Sequence, residues 1–159
     1  MDGALASRSF TFDAVYVVAF LAATVAVGAA LAHALELPNK IALPRDEYFI
    51  VQKAYRGWNN LAFVLIVEFL GLIALAFLAR AEPSVMWPVV AAIACLLLAQ
   101  ALFWTLTQPA NLATRMWTFA PDNWRELRRN WEYSHLGGAL LQVAGLAALA
   151  IAALIRARA

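Results

Sequence analysis

The chain has 159 residues, of which 64% are hydrophobic and 14% are charged, and its net charge is +2. A soluble domain is nearer half apolar and a quarter charged, and a soluble domain of this size could not hide so much apolar surface from water. These values predict a single membrane domain in contact with the lipid bilayer, and because the charge is too small to suggest nucleic acid, we expect no such partner.

Four apolar stretches follow one another along the chain, each near the roughly 20 residues that cross the hydrocarbon core of a bilayer. They span residues 12–35, 58–79, 85–107 and 135–155. Unpaired backbone polar groups are costly in lipid, so all four are predicted to be helices. Pro38 should end the first helix, because proline lacks the N–H that a helix uses. The sequence therefore predicts an all-α, four-helix bundle in an up-down-up-down order.

The first long connection, residues 36–57, carries a helix start. Proline at position 44 precedes Asp46 and Glu47, and prolines and acids are both favoured in the first turn of a helix. We expect this helix to continue without interruption into the second span.

The second long connection, residues 108–134, carries an amphipathic pattern. Its face is formed by Trp124, Arg128, Trp131 and His135, which recur at spacings of four and three. We expect this segment to lead directly into the fourth span. An up-down-up-down order would place both long connections at the same end of the bundle, where we predict that they form a helical cap.

Polar side chains are rare inside membrane spans, and they usually face other helices or a cavity. The two histidines, His33 and His135, are predicted to lie at the same level, at the capped ends of the first and fourth spans. Glu68 is the deepest polar residue, about ten residues or roughly 15 Å into the second span. We predict a polar pocket in the capped half of the bundle, lined further by Asn60, Gln100, Trp104, Trp131 and Gln142.

The same polar residues also have a purely structural interpretation. His135, Gly138 and Gln142 share one face of the fourth span, and polar residues mixed with small ones are typical of helix contacts in membranes. Under this interpretation the side chains bond one another and hold the bundle together without binding a ligand.

The last third of the chain carries two linked motifs. They are Pro109-Ala110-Asn111 and Trp124-x-x-Leu127-Arg128-x-x-Trp131-Glu132-x-x-His135. These residues resemble the anthrone-oxygenase-like family of small four-helix membrane proteins, many of whose bacterial members form a domain of unknown function. The first long connection is similar to that of a bacterial subgroup rather than to that of the fungal enzymes, so we expect a bacterial inner-membrane location.

The resemblance implies an oxygen-dependent oxidoreductase that acts on a lipophilic aromatic substrate, such as an anthrone. It implies that His135, Asn111 and Arg128 lie near that substrate. A histidine is suited to removing the acidic proton of an activated phenolic carbon, and Asn and Arg to stabilising the resulting oxygen anion. Glu68 joins these catalytic candidates, since a carboxylate deep in a membrane is a functional candidate by default.

Two other interpretations fit the sequence. Two helices that each offer one histidine at the same depth can hold a haem b iron, which would make His33 and His135 cofactor ligands. Glu36 or Glu132 could complete a metal site instead, although no ligand spacing assigns one, and a cofactor-free protein fits as well. The third interpretation is a non-catalytic accessory subunit, as a homo-oligomer or within a larger membrane complex.

Overall fold

A computed structural model describes the backbone of residues 2–158 and the side chains from Phe10 onward. Within these residues all regular structure is helical. Four helical stretches are long and apolar enough to cross a membrane: Phe10–Lys40, Trp58–Leu78, Pro83–Ala113 and Trp124–Arg156. The predicted all-α class is therefore confirmed, and the four apolar helices are those expected of an integral membrane protein.

The first helix, α1, extends over Asp2–Lys40 and includes Pro38. The prediction that Pro38 ends the helix was wrong. A proline removes only the hydrogen bond to the carbonyl four residues earlier, here that of Ala34. The helical pattern resumes at once, because the N–H of Ile41 donates to the carbonyl of Leu37 at 2.9 Å.

The first connection is not one continuous helix, contrary to expectation. Helix α2, Arg45–Val51, passes into a 3-10 turn over Gln52–Tyr55. Gly57 then has a φ of 93°, a left-handed conformation that glycine adopts without strain, and it ends the helical path. A second 3-10 turn, Trp58–Leu61, leads into α3, Ala62–Leu78.

The third span changes its helical geometry before it ends. Helix α4, Pro83–Leu102, is followed by a π-helical turn over Phe103–Thr107 and then by α5, Gln108–Ala113. The wider turn ends at Thr107, two residues before Pro109, where a regular α-helix would need an N–H that proline lacks. The third span therefore accommodates Pro109 by a π-helical turn rather than by ending.

Three consecutive non-glycine residues after α5 have left-handed backbone conformations. Arg115, Met116 and Trp117 have φ values of 50°, 56° and 61°. Each is unfavourable for a residue with a Cβ. The turn is closed by the N–H of Met116, which donates to the carbonyl of Asn111 at 2.7 Å. It brings the Trp117 indole into the interior, where the side chain is buried.

Helix α6, Trp124–Arg156, has 33 residues and combines the amphipathic segment with the fourth span. This continuity confirms the prediction that the segment leads directly into the span.

The four long helices pack in a ring, in which α1 contacts α3 and α6, and α4 also contacts α3 and α6. Helices α1 and α3 approach closely, since a Cβ added at Gly71 would lie 2.8 Å from the Cβ of Ala19. The apolar core that joins the four helices consists of Phe12, Ala19, Ala23, Leu72, Leu75, Ala79, Val85, Val89, Ala92, Leu96, Leu149 and Ala152. A second, smaller cluster joins both connections to α6 and contains Tyr48, Ala110, Trp117 and Trp131.

Candidate functional site

A cavity of about 780 Å³ lies between the four long helices, and parts of both connections also line it. Its space arises from small side chains on facing helices, namely Ala26, Ala29 and Ala30 on α1, Ala99 on α4 and Gly138 on α6. A Cβ added at Gly138 would meet no atom within 4 Å. The volume is in the range of pockets that hold a small organic molecule.

The two histidines meet at the wall of this cavity. The ring centroids of His33 and His135 are 4.3 Å apart, at an interplanar angle of 52°. Trp131 lies 4.0 Å from His135, and Tyr55 and Trp58 lie 4.5 and 4.8 Å from His33. Helices α1 and α6 therefore bring together two imidazoles that are far apart in the chain. The surrounding rings of Tyr55, Trp58 and Trp131 form an aromatic box around them.

A backbone carbonyl orients the His135 ring. Nδ1 of His135 lies 2.7 Å from the carbonyl oxygen of Trp131, one helical turn earlier. A carbonyl only accepts hydrogen bonds, so Nδ1 carries the proton when the ring is neutral. The lone pair that can accept a proton is then on Nε2.

Several cavity-lining polar groups have no partner in the protein. Two buried atoms, Nδ1 of His33 and Oε1 of Gln52, form no hydrogen bond. Gln100 and Gln142 also line the cavity, and no side-chain hydrogen bond joins either of them to another described residue. Because buried polar groups are normally paired, these four side chains favour a polar ligand or water in the cavity over helix-to-helix glue.

Asn111 is held in one orientation by two tryptophans. Its Oδ1 accepts hydrogen bonds from the indole Nε1 of Trp117 at 3.0 Å and of Trp131 at 3.1 Å. Both lone pairs of this oxygen are thereby used. Its amide nitrogen is left with one long contact of 3.5 Å, to Oε1 of Gln108, and remains a donor at the cavity wall.

A buried ion pair behind the aromatic box was not foreseen from the sequence. Nζ of Lys40 lies 3.2 Å from Oε1 of Glu132, and the two side chains are 4% and 0% exposed. The ammonium also donates to the hydroxyl of Tyr55 at 2.6 Å and lies 3.5 Å from a carboxylate oxygen of Glu36, which itself accepts from Tyr55. It stands 4.4 and 4.5 Å from the ring centroids of Tyr55 and Trp131, in cation–π contact with both.

Tyr48 extends this network into the first connection. Its hydroxyl donates to Oε1 of Glu132 at 2.9 Å and accepts from Nε2 of Gln52 at 2.5 Å. Burial raises the pKa of Tyr48, and the adjacent Glu132 carboxylate raises it further. The phenol therefore stays protonated and remains a donor to the carboxylate.

Most of the predicted site residues line the cavity. They are His33, Gln100, Trp104, Asn111, Trp131, His135 and Gln142. Trp104 is 63% exposed, so it forms part of the outer wall.

Three predicted site residues lie outside the cavity. Arg128 is two turns, or about 10 Å, along α6 from His135, and its Nη1 donates to the carbonyl of Leu43 at 2.7 Å. Asn60 is exposed and does not line the cavity. Glu68 is buried, with its Oε2 unpartnered, but it lies one turn beyond Val64 and Leu65, the last cavity-lining residues of α3. Arg128 borders a separate surface pocket with Leu43 and Trp124, and its expected proximity to a substrate stays a prediction.

The histidine pair does not have the spacing of two axial haem ligands. Two iron–nitrogen bonds of about 2 Å, together with the radii of the rings, would put the centroids roughly 6 Å apart. The rings instead contact each other directly, with no gap for a porphyrin plane. Among residues 2–158, no group of three His, Cys, Asp or Glu side chains is arranged to hold a metal ion.

Comparison of the chain with protein-family models, with curated proteins and with solved structures gives no match.

Proposed function

We propose that this membrane protein binds a planar, lipophilic aromatic molecule in the cavity and oxidises it with molecular oxygen. One observation carries the proposal. The Trp131 carbonyl fixes His135 so that Nε2 is the free lone pair, in a ring that lines an aromatic cavity of about 780 Å³. The residues of the Asn111 and His135 motifs, which resemble the anthrone-oxygenase-like family, support it independently.

The reaction needs no resident cofactor to balance. His135 removes one proton from the activated methylene group of an anthrone, which leaves an enolate-like anion. The carbanion carbon adds molecular oxygen, and the proton from the imidazole completes a hydroperoxide. Loss of water, which takes the second methylene hydrogen, then yields the ketone. One oxygen atom ends in the product and the other in water.

The surrounding side chains suit the intermediate of this reaction. The free N–H of Asn111 is a donor for the developing oxygen anion, since its amide oxygen is held by two indoles. Oε1 of Gln52 is an unpaired acceptor for a phenolic hydroxyl. The ring of Trp58, which lines the cavity and is partly exposed, offers a face on which a flat substrate can stack.

The finer architecture belongs to the same proposal. An up-down-up-down order would place the cavity below a cap made by the two connections. The burial of Tyr48 against Trp117, with ring centroids 5.2 Å apart, supports such a cap. The bacterial character of the first connection supports a bacterial inner-membrane location.

The test uses the purified protein in detergent with 1,8-dihydroxyanthrone as the probe. Binding is followed by quenching of tryptophan fluorescence, and turnover by oxygen consumption and anthraquinone absorbance. We expect His135→Gln to bind the probe with unchanged affinity and to lower the rate at least about 100-fold, the usual contribution of a general base. Arg129→Gln, at an exposed position outside the cavity, is the control. Failure of the wild-type protein to bind the probe, or an unchanged rate in His135→Gln, contradicts the proposal.

A further inference from the structure

The rim of the cavity is positively charged. Lys53 and Arg56 both line the cavity, and both are exposed. They belong to the turn between α2 and Gly57, and because they are exposed while lining the cavity, we take them as part of its rim. Within the described residues neither of them forms a side-chain hydrogen bond or an ion pair.

No acidic side chain lines the cavity to balance these two charges. Glu132, on the helix of His135, is 0% exposed and is already paired with Lys40, and Glu68 is buried one turn beyond the cavity-lining part of α3. Glu36 lies behind Tyr55 and bonds that phenol and the same lysine. The cavity therefore combines an apolar, aromatic interior with a rim of two uncompensated cations.

We propose that the ligand is an aromatic acid, whose ring system occupies the interior and whose carboxylate lies at the rim against Lys53 and Arg56. This inference rests on the proposed function, and it adds the charge of the ligand. An anion at the rim keeps access to water, so it binds with little desolvation, whereas the rings leave water entirely. Arg56 offers a planar fork of donors that matches a carboxylate, and Lys53 adds a compact charge.

The orientation has a chemical consequence. A ligand that is anchored at the rim by its acid presents its far edge to His33 and His135, which lie between α1 and α6. The unpaired Oε1 of Gln52 and Nδ1 of His33 belong to residues that line the same cavity, where hydroxyl groups of such a ligand can meet them. The acid would thus set which carbon of the rings faces the imidazole.

The experiment compares two probes that share one ring system, 9-anthracenecarboxylate and the neutral 9-anthracenemethanol. Energy transfer from tryptophan to anthracene reports binding to the purified protein in detergent, with empty micelles as the blank. We expect the carboxylate to bind about tenfold more tightly, the combined effect of two partly exposed charged contacts. Lys53→Gln and Arg56→Gln should each reduce this tenfold preference to about threefold.

Matched controls separate a local effect from a general one. Arg129→Gln removes the same charge from an exposed position outside the cavity, and it should leave the preference unchanged. The preference should also shrink between about 0.01 M and about 1 M salt, where the screening length falls from about 30 to about 3 Å.

The outcomes distinguish this inference from the function on which it rests. Equal binding of the two probes overturns the acidic ligand and leaves the aromatic cavity standing, whereas absence of binding by both overturns the proposed function itself. Laurate supplies the same carboxylate on an acyl chain. Naphthoate, an aromatic acid, is the reference competitor. If laurate displaces bound 9-anthracenecarboxylate as effectively as naphthoate does, the site is one for fatty acids and the aromatic class is refuted.

Discussion

The buried ion pair between Lys40 and Glu132 gives the most direct test of the structure, because its strength depends on burial. Lys40→Met would leave the Glu132 carboxylate 0% exposed without its cation, with Oε2 already unpartnered. Removing one member of a buried pair costs about 3–5 kcal/mol, since an uncompensated charge remains. The single hydrogen bond from the Tyr48 hydroxyl to Glu132 partly offsets this loss, so we expect a cost of about 3 kcal/mol.

An exposed ion pair in the same chain is the matched control. Arg45 and Asp46 approach to 2.8 Å, closer than the buried pair, yet their side chains are 55% and 81% exposed. Water screens such a pair, so Arg45→Met should cost less than about 0.5 kcal/mol. The contrast between the two variants isolates burial as the cause, because distance alone would predict the opposite order.

The assay is equilibrium unfolding in mixed micelles, in which the fraction of SDS is raised while tryptophan fluorescence is recorded. The double variant Lys40→Met with Glu132→Gln removes both charges and should recover most of the lost stability, to within about 1–2 kcal/mol of the wild type. Equal losses for Lys40→Met and Arg45→Met, or no recovery in the double variant, would refute the buried pair.

Two further predictions concern glycines in the helices. Gly138→Leu should fill the cavity and abolish probe binding while the protein stays folded, because no atom lies within 4 Å of the added Cβ. The control is Gly28→Leu, at a position that is equally open but outside the cavity, and this variant should bind the probe normally. Loss of binding in both variants would contradict the site. Gly71→Ala should destabilise the bundle by about 1–3 kcal/mol through overpacking against Ala19, and Ala19→Gly in the same chain should restore the stability in the micelle titration.

The motif residues were predicted well where helical periodicity decides their position. The spacing of Trp131 and His135 placed both on one face of a helix that enters the fourth span, and α6 has that form. The equal depth of His33 and His135 followed from counting residues into each span, and their rings are in contact. Arg128 lies on the same face of α6 as His135, but two turns away and outside the cavity. The spacing of residues along one helix does not predict how far a cavity extends along it.

The first connection was predicted less well, because its structure depends on backbone conformations that the pattern of side chains does not fix. Tyr48, Gln52 and Tyr55 have helical spacing, yet the chain tightens into a 3-10 turn at Gln52, and the right-handed helical path ends at Gly57. The sequence signal for this break is Gly57, since glycine is the residue that most often adopts the left-handed conformation at the end of a helix.

The sequence by itself determined the class of this protein, because four long apolar stretches have to be helices once they lie in lipid. It also determined which side chains are unusual for a membrane interior. Only the tertiary structure decided which of them meet. Lys40 looks like an ordinary interfacial cation in the sequence, and it becomes buried because α1 continues past Pro38 and α6 presents Glu132 opposite it. Contacts between residues so far apart in the chain depend on the packing of helices, which local periodicity does not encode.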